Sequence, residues 1–380
     1  MATIITTVRV KLVDPSAFTP PYDRALAAAL ASRGVDVELL TSRFLHGPVP
    51  AADGYEATEF FYRRSSERGL EARMRLPFKM AEHLTDMRRL RSALDCDIVH
   101  YQWLTVPGID RHLLPPKRPR VITAHYIPED DRQLARDGRI YGEMDAVIAH
   151  SRKGAGRLVE AGGVPEEKVH VIPHGSLEYL AALPDEAPLP AELEGAEGPV
   201  VLFFGLIRPY KGLDLLIEAM ADVPGAELWV VGNSRIPDQE LSRLRVAAAA
   251  LPGGDRWVTR FVDDREIPAI MRRADVLVLP YREAEQSGVL YAGLAFGKAI
   301  VATAVGGFGE VAADHRALSI VPPGDVEALS SAISRLVSDR SARDELGSRA
   351  AEAARTAYSW DEIAGQTIEL YDSLLEGAGS

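Results

Sequence analysis

Short apolar runs recur along the chain, and segments with helical spacing separate them. Runs of this kind, apolar throughout and rich in Val and Ile, are typical of strands buried on both faces of a parallel sheet. In the first half they predict strands at residues 4–8, 36–41, 97–103, 121–125, 146–151 and 169–175. In the second half they predict strands within residues 199–205, 226–234, 257–267, 274–280 and 299–303. The alternation with helices predicts an α/β protein with two Rossmann-like sheets.

The segment 180–198 interrupts this pattern with Pro, Ala, Glu and Gly and predicts a linker. With 380 residues, the chain is long for one domain. We expect a first domain at residues 1–178, a linker at 179–198, a second domain at 199–357 and a final helix at 358–380.

Charge and cysteine content narrow the class of protein. The net charge is −12, which disfavours nonspecific nucleic-acid binding, and the excess of acidic residues lies in the second half. The lone cysteine, Cys96, rules out a disulfide within one chain. The first ten residues lack the basic flank and long apolar core of a signal peptide, and no apolar run reaches the ~20 residues that span a bilayer. These features predict a cytoplasmic protein.

The stretch 280–310 carries the strongest candidate chemistry. It runs from a buried strand through a polar loop to Ser287-Gly288, then into an apolar helix and a second strand. The free amides at such a helix start attract anions, and Gly288 allows a ligand close to the backbone. An ordinary βαβ unit without a ligand is the alternative.

A second candidate anion site lies in the segment 205–212. Arg208 and Lys211 stand three apart at a strand-to-helix turn, where two cations and a helix dipole suit a diphosphate. The alternative is a basic surface loop.

The loop after the first predicted strand lacks the G-x-G-x-x-G motif of dinucleotide-binding folds. Its absence argues against a dinucleotide cofactor.

Together these two motifs resemble those of glycosyltransferase family 4, the retaining enzymes of the GT-B fold. The segment 205–212 is similar to the family's diphosphate clamp, and Glu285 with Gly288 matches the first half of its Glu-x7-Glu motif. The second Glu of that motif is replaced by Gly293. The resemblance implies two domains facing across a cleft, with a last helix that crosses back to the first domain. It also implies metal-independent transfer of a sugar from a UDP- or GDP-linked donor to an unknown acceptor, without a cofactor.

The resemblance further implies roles for single residues. Catalysis would rest on Arg208, Lys211, Glu285 and His125, with Glu285 on the donor sugar hydroxyls. Donor contacts would come from Gly205, Asn233, Phe261, Val262, Gln286, Ser287, Gly288 and Val289, and acceptor contacts from Tyr22, Asp23, His100 and His174. The histidines, with His150, end predicted strands, where a lone His is often only a structural hydrogen-bonding group. Tyr22 and Asp23 also suit a plain helix start.

The missing second Glu and the range of activities known for this architecture leave three hypotheses for the function. A transferase is the first; a non-catalytic nucleotide-sugar-binding subunit and an epimerase of the same architecture are the others. We expect open space at Gly293, because a family position that faces ligand should face it here as well. Gly293→Glu would then fold normally.

Residues 60–94 hold nine Lys or Arg and four Asp or Glu, with apolar residues at roughly helical spacing. They predict solvated helices that cover the sheet, with Pro77 as a break or kink. The alternative is a surface for an anionic membrane or a charged acceptor.

Overall fold

A computed structural model describes residues 7–45, 49–65, 72–116 and 119–378. The chain divides into two compact units, one made of Met1–Pro173 with Trp360–Ser380 and the other of His174–Ser359. Each unit is built on one parallel sheet, which confirms the prediction of two Rossmann-like domains.

The sheet of the first unit holds, within the described ranges, seven parallel strands. In chain order these are β1 (Arg9–Asp14), β2 (Asp36–Ser42), β3 (Glu56–Phe61), β4 (Ile98–Tyr101), β5 (Arg120–Thr123), β6 (Ala146–Ala149) and β7 (Val169–Val171). They lie in the order β3-β2-β1-β4-β5-β6-β7. The connecting helices are α1 (Pro20–Ser32), α2 (Ala72–Ala93), α3 (Pro107–Asp110), α4 (Asp131–Tyr141) and α5 (Arg152–Glu160). The strand order reverses direction between β1 and β4, so the loops after these strands flank a switch point.

The second unit repeats the design with six strands among the residues described. They are β8 (Val200–Phe204), β9 (Glu227–Val231), β10 (Asp255–Val258), β11 (Val276–Leu279), β12 (Ala299–Thr303) and β13 (Ser319–Val321). Their order, β10-β9-β8-β11-β12-β13, reverses between β8 and β11. The helices are α6 (Glu178–Ala181), α7 (Leu213–Met220), α8 (Asp238–Ala248), α9 (Ile267–Arg273), α10 (Gly288–Ala295), α11 (Phe308–His315), α12 (Val326–Ser338) and α13 (Arg340–Arg355).

The last helix, α14 (Trp360–Ala378), belongs to the first unit. It packs on α1, and the Arg33 guanidinium donates to both carboxylate oxygens of Asp361 at 2.8 and 2.9 Å. On its inner face the Tyr371 hydroxyl lies 2.6 Å from Nδ1 of His100. The return of the final helix to the first domain is therefore confirmed.

The first strand lies later in the chain than predicted. β1 covers Arg9–Asp14, whereas residues 4–6 of the predicted strand lie outside the described ranges. We predicted a loop after residue 8 because the segment 9–23 is rich in Pro and polar residues. In the structure one of these polar residues, Lys11, lies in β1 and pairs with Glu38 on neighbouring β2. With the charge of Lys11 neutralised, its apolar neighbours Val10 and Leu12 can lie in the core.

Three further elements differ from the prediction. Strand β3 was not predicted, because its first four residues, Glu-Ala-Thr-Glu, give little apolar signal. Helix α2 continues through Pro77, only five residues after Ala72, so of the predicted break or kink the break is wrong and the kink stays a prediction. Residues 66–71 of the basic segment lie outside the described ranges. The predicted linker also carries Leu180 and Leu193 in the core of the second unit, which makes it a packed part of that unit.

Candidate functional site

Two loops of the second unit meet at the switch point of its sheet. The loop 205–212 follows β8, and the loop 280–287 follows β11. Gly212 has a φ of +67°, and a Cβ there would lie 2.0 Å from the carbonyl oxygen of Pro280. Only glycine permits this approach. The structure thus brings together the two predicted anion sites, although about 75 residues separate them in sequence.

Arg282 ties these two loops to each other. Its backbone N–H donates to the carbonyl of Tyr210 at 2.7 Å, and its guanidinium donates to Pro209 O at 3.0 Å. The same guanidinium grips both carboxylate oxygens of Asp214 at 2.8 and 2.6 Å. These hydrogen bonds hold the pKa of Asp214 below its ordinary value. Planar two-point bonding of this kind fixes geometry as well as charge.

Lys211 places a buried cation at the centre of the site. Its side chain is 7% exposed, and Nζ lies 5.1 Å from the centre of the Tyr281 ring. A Cβ added to Gly205 would lie 3.1 Å from this Nζ, so the ammonium sits at the very end of β8. Across the described ranges it makes no hydrogen bond or ion pair. A buried unpaired charge is costly, and an anionic ligand would relieve that cost.

The start of α10 adds backbone donors next to this cation. Ser287 is the N-cap residue, but its side chain does not cap the helix; its Oγ lies 3.2 Å from the Tyr281 hydroxyl. The amides of Gly288 and Val289 find no acceptor among the residues described. Val289 Cγ2 would lie 3.0 Å from a Cβ on Gly205, which places this helix start against the end of β8. An uncapped, accessible helix start of this kind suits an anion.

Arg208 differs from Lys211 in its exposure. The Arg208 side chain lies on the surface and makes no ion pair within the described part of the chain. It lines an open cavity of about 720 Å³ with Tyr210, Arg282 and residues of α7 and α8. The structure therefore places it on the same loop as Lys211 but leaves its guanidinium in solvent.

Glu285 is half-buried, and the loop after β12 holds its backbone. The Gly307 N–H donates to the Glu285 carbonyl at 3.1 Å. Gly306 has a φ of +47°, and a Cβ there would meet the Ala284 carbonyl oxygen at 2.0 Å. Glycine at position 306 is thus required by the path of the Glu285 loop.

Gln286 connects the loop to the body of α10. The Tyr291 hydroxyl donates to Gln286 Oε1 at 2.7 Å, and the His174 ring stacks on Tyr291 with centres 4.5 Å apart. His174 is buried, and its Nδ1 lies 2.7 Å from Gly175 O. Within the second unit His174 therefore supports the Gln286 loop through Tyr291, a role the sequence did not predict.

The remaining predicted donor residues follow β9 and β10 on the same sheet edge. The backbone carbonyl of Asn233 accepts a hydrogen bond from the Ile207 N–H at 3.0 Å. This bond joins the ends of β8 and β9. Phe261 is 53% exposed, whereas Val262 is buried in the core. Of these, Phe261 offers a side chain to a ligand, and Val262 offers only its backbone.

Gly293 is packed, and the expectation of open space there is wrong. A Cβ on Gly293 would lie 2.5 Å from Leu277 Cδ2 and 2.9 Å from Ile300 Cδ1. Both neighbours are fully buried, on β11 and β12. This position of α10 faces the sheet, so a side chain would enter the core before it reached a ligand.

In the first unit His125 lies in a cage of rings. It stacks on Trp103 at 5.2 Å and meets the Tyr22 ring edge-on at 4.6 Å. Its Nε2 lies 3.0 Å from Gln102 Oε1, and its Nδ1 lies 3.2 Å from His150 Nε2. The predicted site residues Tyr22 and His125 are thus in direct contact.

His100 and Asp23 are buried, unlike the exposed contacts that the sequence analysis assigned to the acceptor. His100 has no exposed surface, and its nitrogens lie 2.6 Å from Tyr371 Oη and 2.8 Å from Thr123 Oγ1. Burial, and next the nearby His150, lower the pKa of His100 to about 3. Its acceptor role stays a prediction, and the contacts seen are structural.

Asp23 forms a buried carboxyl pair with Asp14 beneath the first loop. Asp14 accepts three backbone amides, from Ser16, Phe18 and Thr19, at 3.2, 2.7 and 3.3 Å. Burial, and then the charge of Asp14, raise the pKa of Asp23. Thr19 Oγ1 donates to Asp23 at 3.2 Å and accepts from Trp103 Nε1 at 2.9 Å. The pair therefore holds the loop that positions Trp103.

A cavity of about 620 Å³ opens beside this ring cage within the first unit. Its wall includes Gln102, Trp103, Arg111, His125, Tyr126, Arg136 and Arg139. Gln102 is fully buried, and its Nε2 finds no hydrogen-bond acceptor among the residues described. Arg136 and Arg139 are exposed. The cavity thus combines aromatic surface, guanidinium groups and a buried amide group.

Sequence reasoning missed several of these groups. Tyr281 and Gln102 were not singled out, although each comes one or two residues after a buried strand. That position alone was the available signal, because carboxyl ends of parallel strands line ligand sites. Among the described residues no cluster of His, Cys, Asp and Glu suits a metal ion.

Two solved structures share the fold of this chain. Sucrose-phosphate synthase from Thermosynechococcus elongatus superposes with a TM-score of 0.75 and 20% identity, over 97% of this chain and all of that one. HepE from Anabaena, solved with UDP-glucose, gives 0.71 and 19% over the same shares. The fold is therefore of the GT-B type.

Family models match most of both units. Residues 24–176 match the model described as Glycosyltransferase Family 4, and residues 198–339 match Glycosyl transferases group 1. The chain therefore belongs to glycosyltransferase family 4 and is a glycosyltransferase.

Curated relatives are consistent with this assignment. The chain is 26% identical to a D-inositol 3-phosphate glycosyltransferase of Xylanimonas cellulosilytica, over 92% of this chain and 90% of the relative. It is 33% identical to a phosphatidyl-myo-inositol mannosyltransferase of Mycolicibacterium smegmatis, over 51% and 50%. In the described ranges no helix has the length and apolar character needed to span a bilayer.

Proposed function

We propose that the second unit binds a nucleotide diphosphate sugar and that the enzyme transfers the sugar with retained anomeric configuration. The observation that carries this proposal is the buried ammonium of Lys211 beside the amides of Gly288 and Val289, all three without a hydrogen-bond or ion-pair partner among the described residues. A diphosphate supplies the negative charge that this arrangement lacks. UDP- or GDP-linked hexoses are the donors we favour, in keeping with the UDP-glucose bound by HepE.

The order of the strands supports a donor laid along the sheet edge. Phe261 follows β10, Asn233 follows β9, Lys211 follows β8, and Glu285 follows β11. Because neighbouring parallel strands are about 4.8 Å apart, this row of strand ends matches an extended nucleotide sugar. We place the base near Phe261, the diphosphate at Lys211 and the sugar hydroxyls at Glu285.

Bond cleavage leaves a nucleoside diphosphate with added charge, and fixed donors near that charge lower the barrier. Lys211 and the α10 amides are held in place before reaction by the Gly212 and Arg282 contacts. Arg208 joins them from solvent when the donor binds. These groups give the charge stabilisation for which other enzymes use a metal, so we propose transfer without a metal or another cofactor. The departing phosphate oxygen receives the acceptor proton.

We propose that the acceptor binds in the cavity of the first unit and carries a phosphate. Arg111, Arg136 and Arg139 contribute guanidinium groups to this cavity, and Gln102 and Trp103 offer an amide group and an aromatic face for a polyol. The name of the Xylanimonas relative points to an inositol phosphate. An assay of transfer to different phosphorylated polyols would identify the acceptor.

The test combines binding and turnover. UDP and GDP are titrated calorimetrically, and UDP-glucose and GDP-mannose are incubated with inositol 3-phosphate and with no acceptor. Lys211→Ala should lower turnover about 10²-fold or more, by analogy with loss of an oxyanion donor. Arg316→Ala is the matched control, because Arg316 ends α11 on the surface of the same unit. Normal turnover in Lys211→Ala would refute the diphosphate assignment.

Peripheral membrane contact through residues 60–94 is a separate proposal. On the described part of α2, Arg88 and Arg91 are exposed, and Phe78 is 40% exposed. Flotation with anionic and neutral vesicles tests it; no preference for the anionic vesicles would refute it.

A further inference from the structure

A chain of hydrogen bonds leads from the backbone of the first unit to the edge of its cavity. Nδ1 of His150 lies 3.0 Å from the carbonyl oxygen of Ile172. Nε2 of His150 lies 3.2 Å from Nδ1 of His125, and Nε2 of His125 lies 3.0 Å from Oε1 of Gln102. Strands β6, β5 and β4, which are neighbours in the sheet, supply the three side chains at their carboxyl ends.

The direction of each bond follows from the backbone end. A carbonyl oxygen can only accept, so Nδ1 of His150 carries a hydrogen and donates to Ile172 O. His150 is buried, and burial lowers its pKa to about 4, so at neutral pH its Nε2 holds a lone pair. That lone pair can only accept, so the hydrogen between the two rings is on Nδ1 of His125.

We propose that His150 is a positioning residue that holds His125 with its hydrogen on Nδ1 and so reserves Nε2 of His125 for substrate. Gln102 occupies Nε2 in the free enzyme and is the group that a substrate hydroxyl replaces. The role of His125 towards substrate rests on the proposed function, whereas its hydrogen position does not.

The surroundings of His125 fit this assignment. Trp103 stacks on one face of the ring and Tyr22 meets it edge-on, so tilting the imidazole out of its plane would break both contacts. A half-turn of the ring in the same plane would break both hydrogen bonds. Gln102 can serve Nε2 in two ways, since its amide can present either oxygen or nitrogen. With nitrogen towards His125 it donates to a neutral ring; with oxygen it accepts from a charged one. The partner at Nε2 is thus adaptable, whereas the partner at Nδ1 is fixed.

The direct test is the histidine tautomer in the wild-type protein. Two-bond ¹H–¹⁵N correlation spectra of the ¹⁵N-histidine-labelled full chain distinguish a protonated ring nitrogen from an unprotonated one. The His125 signals are assigned by their loss in His125→Phe. We expect Nδ1 of His125 to be protonated and Nε2 of neutral His150 to be unprotonated. A His125 ring protonated on Nε2 alone would overturn the proposal whatever the enzymatic activity.

Variants test the consequence for catalysis. His150→Phe removes the ring nitrogen that accepts the hydrogen bond from His125. It should lower kcat for sugar transfer to the acceptor substrate about 10- to 100-fold, the range that misplacement of a reacting group causes. Calorimetric affinity for UDP, a property of the second unit, should stay unchanged. His150→Gln keeps one donor and one acceptor in a planar group and should restore part of the rate and the Nδ1 hydrogen. His170→Phe, on β7 and half-buried, is the matched control.

The outcomes separate this proposal from the proposed function. A normal rate in a folded His150→Phe, or a His125 tautomer unchanged in it, would overturn the positioning role. Should His150→Phe fail to fold, the wild-type spectra and His150→Gln decide. Failure of UDP to bind wild-type enzyme would refute the donor assignment and leave the tautomer result standing.

Discussion

Gly293 gives the sharpest test of how the second unit is packed, because one added carbon meets the core. Gly293 lies in the middle of α10, and a Cβ there would approach Leu277 Cδ2 to 2.5 Å and Ile300 Cδ1 to 2.9 Å. Atoms of real side chains do not come this close, so the neighbours must move. Both contacts are the ends of flexible side chains rather than backbone, which limits the cost of Gly293→Ala.

The magnitude follows from two opposed effects. Insertion of a methyl group into a packed core costs about 1–3 kcal/mol. Alanine in place of glycine inside a helix returns about 1 kcal/mol. We therefore expect Gly293→Ala to lose about 0–2 kcal/mol of unfolding free energy. Gly293→Glu adds a carboxyl group without a partner between α10 and the sheet, so its loss should reach about 2–6 kcal/mol.

Thermal and urea unfolding of the full chain measure these changes, with and without UDP. Ile300→Val removes the Cδ1 atom that Gly293→Ala would meet, so the double variant should lose less than the sum of the single changes. Gly309→Ala is the control, since a Cβ on this glycine of α11 meets nothing within 4 Å. A Gly293→Glu protein that melts with the parent and binds UDP at least as tightly would refute the packing argument.

Three other changes probe separate parts of the molecule. Because the pKa of Asp23 is raised, its folded protonated form stabilises the protein at low pH, and that contribution is lost as the pH rises from the ordinary Asp range through the raised pKa. Asp23→Asn should flatten this fall in urea unfolding measured across pH; an unchanged slope would contradict it. Glu285→Gln should weaken sugar transfer by about 1.5–3 kcal/mol in kcat/KM, while calorimetry shows unchanged UDP binding; equal losses in Glu283→Gln would count against a specific role. Tyr62→Phe leaves His83 Nδ1, 2.7 Å from the lost hydroxyl, without its buried partner and should cost about 1–3 kcal/mol of stability, so an unchanged Tm would contradict it.

The fold was predictable where burial is uniform. Central strands such as β8 and β11 are apolar at every position and were located within a residue or two. Errors occurred where a tertiary partner neutralises a polar residue. Lys11 enters β1 because Glu38 lies beside it, and β3 at the sheet edge carries polar side chains. The local sequence reveals neither the pairing of Lys11 with Glu38 nor the place of β3 at the sheet edge.

The candidate donor site was predictable in part, because its groups occupy two short segments. Arg208, Lys211 and Ser287 were all identified from spacing, and the structure places the two segments together. The environment of Gly293 was not predictable, because a sequence motif does not show which side of a helix faces the sheet. The contact with Leu277 depends on the rotation of α10, which the whole core sets.

The two units differ in how much of a site one segment can hold. In the second unit, the backbone amides and Lys211 belong to loops joined by the Arg282 hydrogen bonds, so a short motif carries most of the geometry. In the first unit, His125 depends on His150 and Gln102, and each comes from a different strand. Only the order of β4, β5 and β6 makes these residues neighbours. A binding surface assembled from single residues of separate strands can change one residue at a time, whereas a clamp held by backbone contacts resists such change. This contrast explains why the motifs of the chain predict a diphosphate site but say little about the acceptor.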